Sequence, residues 1–178
     1  MTATDTIDLF SFDTRRHRVV EWQAPGPVAR AAAGLSGLET MCAIRDGILP
    51  PPPMARLIGF EMRIAEAGRI VMELDPDESL ENTIGLLHDA TSAALLDTAM
   101  GCAIATMHPI GQASVTLDLK LTYLRPLSVR SGRVSAEGKV VKIGRQTSYA
   151  EGFVRDGADN LAVHATATFT MIGAEKAK

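Results

Sequence analysis

Hydrophobic and polar positions alternate most regularly from Val115 to Tyr123. Val115, Leu117, Leu119, Leu121 and Tyr123 fall on one face, and Thr116, Asp118, Lys120 and Thr122 on the other. A period of two over that length predicts a half-buried strand in an antiparallel sheet. Strand-like runs also cover Ile58 to Ala65 and Arg69 to Leu74, joined by the turn Glu66-Ala67-Gly68. Three more follow later, at Arg133 to Ile143, Thr147 to Arg155 and Leu161 to Met171. Gly144-Arg145 and Asp156-Gly157-Ala158-Asp159 separate those last three as turns. One stretch breaks the alternation: from Leu86 to Ala105 the chain is apolar on nearly every side, which predicts a helix that ends near Met107-His108-Pro109, where proline forbids continuation. Two strands, one long helix and about four more strands imply an α+β fold, with a curved antiparallel sheet of about five or six strands wrapped around one central helix.

The N-terminal third follows a different pattern. Residues 1 to 27 mix charges with Pro25-Gly26-Pro27 and read as an arm, followed by an Ala-rich helical stretch from Val28 to about Asp46. Pro50-Pro51-Pro52-Pro53 enforces extended geometry and stops any helix. The expected division is an N-terminal arm and helix over 1–53 and a compact domain over 54–178.

Composition narrows the function classes. The chain has 178 residues, 46% of them hydrophobic, enough for one good core. A formal net charge of -3 supplies no global basic field, so nucleic acid is not an expected partner. Only Cys42 and Cys102 are present, without a disulfide framework or metal-ligand spacing, and no run of about 18 apolar residues suggests a membrane span. The N-terminus lacks the basic start and apolar run of a secretory signal. A cytoplasmic protein is expected, with no metal and no cofactor of its own. The defining residues of serine hydrolases, phosphate loops, dinucleotide folds and zinc peptidases are also missing.

Asp97 is the residue most in need of explanation. An ionised carboxylate on an all-round apolar helix is costly unless a partner or a reaction requires it. A structural alternative is a carboxylate satisfied by Thr98 or Ser92. The helix start, Gly85-Leu86-Leu87-His88-Asp89, offers backbone N–H groups without intrahelical partners and the positive end of the helix dipole, which suit an oxyanion. Asp89 and Asp97 are separated by roughly 12 Å along a helix axis. That is too far to act on one carbonyl, so the two features meet only if two copies of the helix pack antiparallel across a twofold axis.

The segment Asn82-Thr83-Ile84-Gly85-Leu86-Leu87-His88-Asp89-Ala90, followed by Leu95-Leu96-Asp97-Thr98-Ala99-Met100-Gly101, resembles the N-x-x-G-x-x-H-G-G…L-x-D-x-A signature of hot-dog-fold acyl-CoA thioesterases of the phenylacetyl-CoA (PaaI-like) subgroup. Ser114 to Pro126 and Val141 to Gln146 are similar to the segments that follow in that family, and the resemblance extends over roughly residues 34 to 172. It implies a homodimer or homotetramer acting on an acyl-CoA, with CoA as part of the substrate. Asp97 would be the general base or nucleophile at the thioester carbonyl. Asn82 and His88 would orient water and thioester, the backbone N–H of Asp89 would serve as oxyanion donor from the opposite subunit, and Thr116 would be a hydroxyl near the carboxylate. Tyr123, Lys142, Gly144 and Arg145 would hold CoA.

Two positions depart from the signature: Asp89 and Ala90 replace its glycines. The N–H at 89 survives, but the Asp89 carboxylate can cap the helix itself and its charge opposes a developing oxyanion. That departure motivates the alternative of a non-catalytic acyl-CoA or aromatic-ligand binder; an acyl-CoA dehydratase is a third reading. The alternation also sets Thr116 on the face opposite Val115 and Leu117, away from the helix unless a bulge or a dimer contact redirects it. Arg125, Arg130, Arg133, Lys139, Lys142 and Arg145, against Glu137 alone, form a local basic excess that suits CoA phosphates or a solvated face. Met100, Met107 and Met171 are expected as core filler.

Overall fold

The computed structural model describes residues 15–173. Three short helices come first, α1 (Pro25–Ala32), α2 (Gly37–Arg45) and α3 (Pro53–Ile58). They lead into β1 (Phe60–Glu66), β2 (Arg69–Leu74), the long helix α4 (Asp89–Ala105), β3 (Gln112–Tyr123), β4 (Val134–Ile143), β5 (Thr147–Arg155) and β6 (Leu161–Gly173). The strands form one six-stranded antiparallel sheet in the order β1-β2-β4-β5-β6-β3, which leaves β3 at an edge.

The expected α+β fold, with the sheet curved around a central helix, is the one found. Helix α4 buries Ser92, Leu95, Leu96, Ala99, Met100 and Ala103, spaced three and four apart as one face of a helix requires. Its other face, which includes Asp97, Thr98, Gly101 and Cys102, is only half-buried. The expectation of burial on every side is therefore corrected: small side chains on that face leave an open cleft, and the carboxylate stands in it. Where α4 crosses the sheet the backbones nearly touch. A Cβ on Gly138 of β4 would lie 2.4 Å from the backbone carbonyl of Ala99, and one on Gly152 of β5 would lie 2.8 Å from Leu96 Cδ2.

The N-terminal third differs from its expected outline. The first fourteen residues of the arm lie outside those described, and α1 begins at Pro25, inside the stretch expected to be arm. The Ala-rich run is two helices, because the chain turns at Ala33–Ser36 and Ser36 starts α2 afresh through a reciprocal capping box with Glu39. The prolines do not end regular structure either: Pro53 occupies the first helical position of α3, where a missing N–H costs nothing. Ile58, expected in the first strand, is the last residue of α3, and Gly59 reverses the chain with φ +96° before β1. Arg18 ties the arm down by donating to Asp77, Ser79 and the carbonyls of Arg56 and Leu57. Of the expected core methionines, Met100 is fully buried, Met171 is half-buried and Met107 is exposed. Among the described residues no helix is long and apolar enough to cross a membrane.

Adding one methyl group at the closest approach should cost stability. Gly138→Ala is expected to destabilise the protein by about 1–3 kcal/mol, since neither backbone can recede far within a packed sheet. Chemical denaturation reads this as a lower midpoint at unchanged slope; an unchanged midpoint would mean that the helix is not held against β4.

Candidate active site

Asp97 meets Thr116 through a local irregularity in β3. Thr116 pairs with Phe169 and Asp118 with Thr168, so Leu117 is an extra residue in the strand, a β-bulge. On the C-terminal side of the bulge, Leu119 and Leu121 pack against the core as the alternation predicts. On its N-terminal side the phase is inverted: Val115 and Leu117 are exposed, and Thr116 shares the helix-facing side with its cross-strand neighbour Phe169. This corrects the uniform two-face reading of Val115 to Tyr123. Thr116 Oγ1 donates to Asp97 Oδ1 at 2.8 Å. Thr98, a structural alternative as partner, instead donates to the Ala94 carbonyl at 2.7 Å. Asp97 Oδ2 has no hydrogen-bond partner among the described residues, and Asp97 lines a cleft.

The cleft has a volume of about 390 Å³ and is lined in part by Asp97, Thr116, Ser114, Phe169 and His108. His108 is a residue that sequence reasoning missed, having been read only as part of the helix terminus. Its ring is buried and neither Nδ1 nor Nε2 has a partner among the described residues. Burial holds its pKa below the ordinary imidazole value, so it is neutral near pH 7.

The other candidates gather at the opposite end of β3. His88 caps α4, its Nδ1 accepting from the Ala90 N–H at 3.1 Å. The capping role considered for the Asp89 carboxylate thus belongs to His88. Asp89 is the first helical residue, and its own N–H donates to no described group. Tyr123 Oη donates to the Asp89 carbonyl at 3.0 Å, and burial together with the Asp89 charge raises the phenol pKa, keeping it a donor. Asn82 organises the preceding loop, its Oδ1 accepting from the N–H groups of Ile84 and Leu86 at 3.0 and 3.2 Å. None of Asn82, His88, Asp89 and Tyr123 lines the Asp97 cleft. The eight residues from Thr116 to Tyr123, one of them the bulge, span roughly 20 Å of strand, so one chain keeps the two groups apart.

Lys142 is the exposed residue after a second bulge, at Val141, and Gly144 and Arg145 form the turn from β4 to β5. Gly144 is sterically required there, because a Cβ would lie 2.3 Å from the Thr147 carbonyl oxygen. Through Thr147, Thr170 and Val115, which are paired in register, that turn lies about 10 Å across the sheet from the Asp97 end of β3. The basic excess does not form one patch. Arg133 is engaged by Glu73 of β2 and Asp75 just beyond it, and Lys139 by Glu137 of β4 itself.

A hydroxyl-held carboxylate in a cleft beneath a curved sheet is the arrangement to set beside known proteins. Residues 84–163 match the Thioesterase superfamily. The proofreading thioesterase EntH of Klebsiella pneumoniae is 37% identical over 103 residues, covering 58% of this chain and 74% of that protein. The chain belongs to the thioesterase superfamily. The 1,4-dihydroxy-2-naphthoyl-CoA hydrolase of Listeria monocytogenes is 26% identical over 104 residues, covering 58% of this chain and 83% of that protein. The E. coli PaaI protein from the phenylacetic acid degradation operon shares the fold with a TM-score of 0.68 at 19% identity, over 78% of this chain and 97% of that one. This thioesterase is therefore a thioester hydrolase with the hot-dog fold, as the signature implied.

The buried imidazole gives a pH test of the cleft. The folded pKa of His108 is depressed, so its contribution to stability is complete above the ordinary imidazole value of about 6.5 and is lost as pH falls from there toward the folded value. Thermal melts should show a midpoint that drops on acidification in this window, and His108→Leu should flatten the drop. An equally steep loss in the variant would assign the acid sensitivity to other groups.

Proposed function

We propose that this thioesterase hydrolyses an acyl-CoA at a site shared between two copies of the chain, with Asp97 as the residue that activates water or attacks the carbonyl. The reading is carried by the hydrogen bond from Thr116 to Asp97 Oδ1, which fixes the carboxylate while Oδ2 stays open to the cleft. In the general-base route Oδ2 takes a proton from water, the hydroxide adds to the thioester carbonyl, the carbon–sulfur bond breaks and the CoA thiolate takes up the proton. In the nucleophilic route Asp97 itself adds to the carbonyl, the carbon–sulfur bond breaks and CoA leaves as the thiolate, and the water that then cleaves the resulting anhydride supplies the thiolate's proton. Single turnover in ¹⁸O-water distinguishes them, because only the second route labels the Asp97 carboxylate.

Two features support a shared site. Strand β3 is an edge with unpaired backbone groups, a natural seam for a second copy. Its ends also carry complementary halves: Thr116 and Asp97 at one, Tyr123 and the N–H of Asp89 at the other. Pairing two β3 strands antiparallel about a twofold axis near Leu119 and Lys120 brings each half of one chain to the other half of its partner. The helix-start amide of the partner then meets the developing oxyanion, with His88 and Asn82 shaping the loop that presents it. Lys142, Gly144 and Arg145, near the Asp97 end of the sheet, are assigned to CoA, with Tyr123 holding the helix start.

Asp97→Asn should lower kcat by about 10²–10⁴-fold in a thiol-release assay while leaving assembly intact. Asp89→Pro removes the N–H at a helix position that tolerates proline, and is expected to cost about 10²–10³-fold. Mixed and reassembled, these two variants should recover roughly a quarter of wild-type activity, because half the dimers are then mixed and each contains one intact site. Two inactive variants that stay inactive when mixed, or a fully active monomer, would rule out the shared site.

A further inference from the structure

We infer that the N-terminal extension builds the acyl-binding pocket of this thioesterase, and that the pocket selects an apolar, uncharged acyl group. The inference rests on the hydrolase reading of Asp97 and adds the substrate class. A second cavity, of about 340 Å³, lies between the extension and the outer face of α4. Its roof consists of Ala29 and Ala32 on α1 and the run Pro50–Pro53, and its floor includes Phe60 of β1 and Met72 of β2.

This cavity adjoins the Asp97 cleft. Thr98 and Cys102, one helical turn apart on α4, line both spaces, as does Ala32. A thioester carbonyl at Asp97 thus has its acyl tail directed along α4 beneath the proline roof, with the CoA side left toward the sheet edge. These walls supply no counter-charge, since among the described residues no Asp, Glu, Lys, Arg or His lines the cavity. Burial, reinforced by the Asp97 charge, pushes the Cys102 thiol up to about 12, so that wall is neutral as well. An acyl group ending in a carboxylate would lose its water there with nothing in return. Each buried methylene, by contrast, is worth roughly a fourfold gain.

The test uses full-length protein and three CoA esters, butyryl, octanoyl and succinyl, read by thiol release and, in parallel, by calorimetric binding. The wild type should favour octanoyl over butyryl by at least about tenfold in kcat/KM, and butyryl over succinyl by about tenfold or more. Ala29→Trp fills the roof from an exposed helix position. It should lower kcat/KM for octanoyl-CoA at least about tenfold and leave butyryl-CoA within about twofold, as should Val28→Trp, an independent variant should the first not fold. An unchanged octanoyl-to-butyryl ratio in the roof variants overturns the inference while leaving the hydrolase intact, as does rapid succinyl hydrolysis. If no ester releases thiol from the wild type, the hydrolytic reading of Asp97 fails instead. The calorimetric octanoyl preference, and its loss in Ala29→Trp, then decides the pocket by itself.

Discussion

A side chain at position 138 or 152 would meet the backbone or side chains of α4, and this steric limit governs where everything else in the molecule can stand. The missing Cβ atoms let the helix sink into the curve of the sheet until Leu95, Leu96, Ala99 and Met100 are sealed from water. Once that face is committed to the core, the residues between them in sequence, Asp97 and Thr98 among them, must point the other way. The position of the carboxylate at the floor of a cleft is thus a result of helical geometry acting on glycine-lined strands, and no separate device is needed to expose it.

The bulge at Leu117 adds the second constraint. A strand of strict period two would turn Thr116 away from the helix and leave the Asp97 carboxylate without the hydroxyl that now holds it. One extra residue inverts the phase for half a strand, and the cost is two hydrophobic side chains, Val115 and Leu117, exposed on the opposite face.

Much of this was legible in the sequence, and what was not has physical causes. Strand β5 fell between Thr147 and Arg155 as the alternation marks it, because both ends are set by turn residues acting locally. The bulge was invisible to period counting, since Leu117 fits either face by composition. The break between α1 and α2 was hidden in an Ala-rich run with no strong periodic face, and Pro53 was read as a terminator although the same residue suits a helix start. In the site, Asp97 stood out because a charge interrupts an apolar helix. Nothing in the sequence distinguished the turn-forming and capping hydrogen bonds of Asn82 and His88 from contacts to a ligand. His108 went unnoticed because its burial comes from packing around the helix end, including Gly37, whose N–H donates to the His108 carbonyl.

The carboxylate and the roof of the apolar cavity are encoded in separate stretches of chain. Asp97, Thr116 and His108 come from α4 onward, whereas the roof over the apolar space is written between residues 25 and 53 and is rich in prolines, which have little conformational freedom to lose. Mutations at Val28, Ala29 or the roof prolines, which line the apolar cavity and not the Asp97 cleft, can resize one chamber without moving the carboxylate or its threonine. A lineage carrying this architecture can drift in what it accepts while keeping the chemistry it performs.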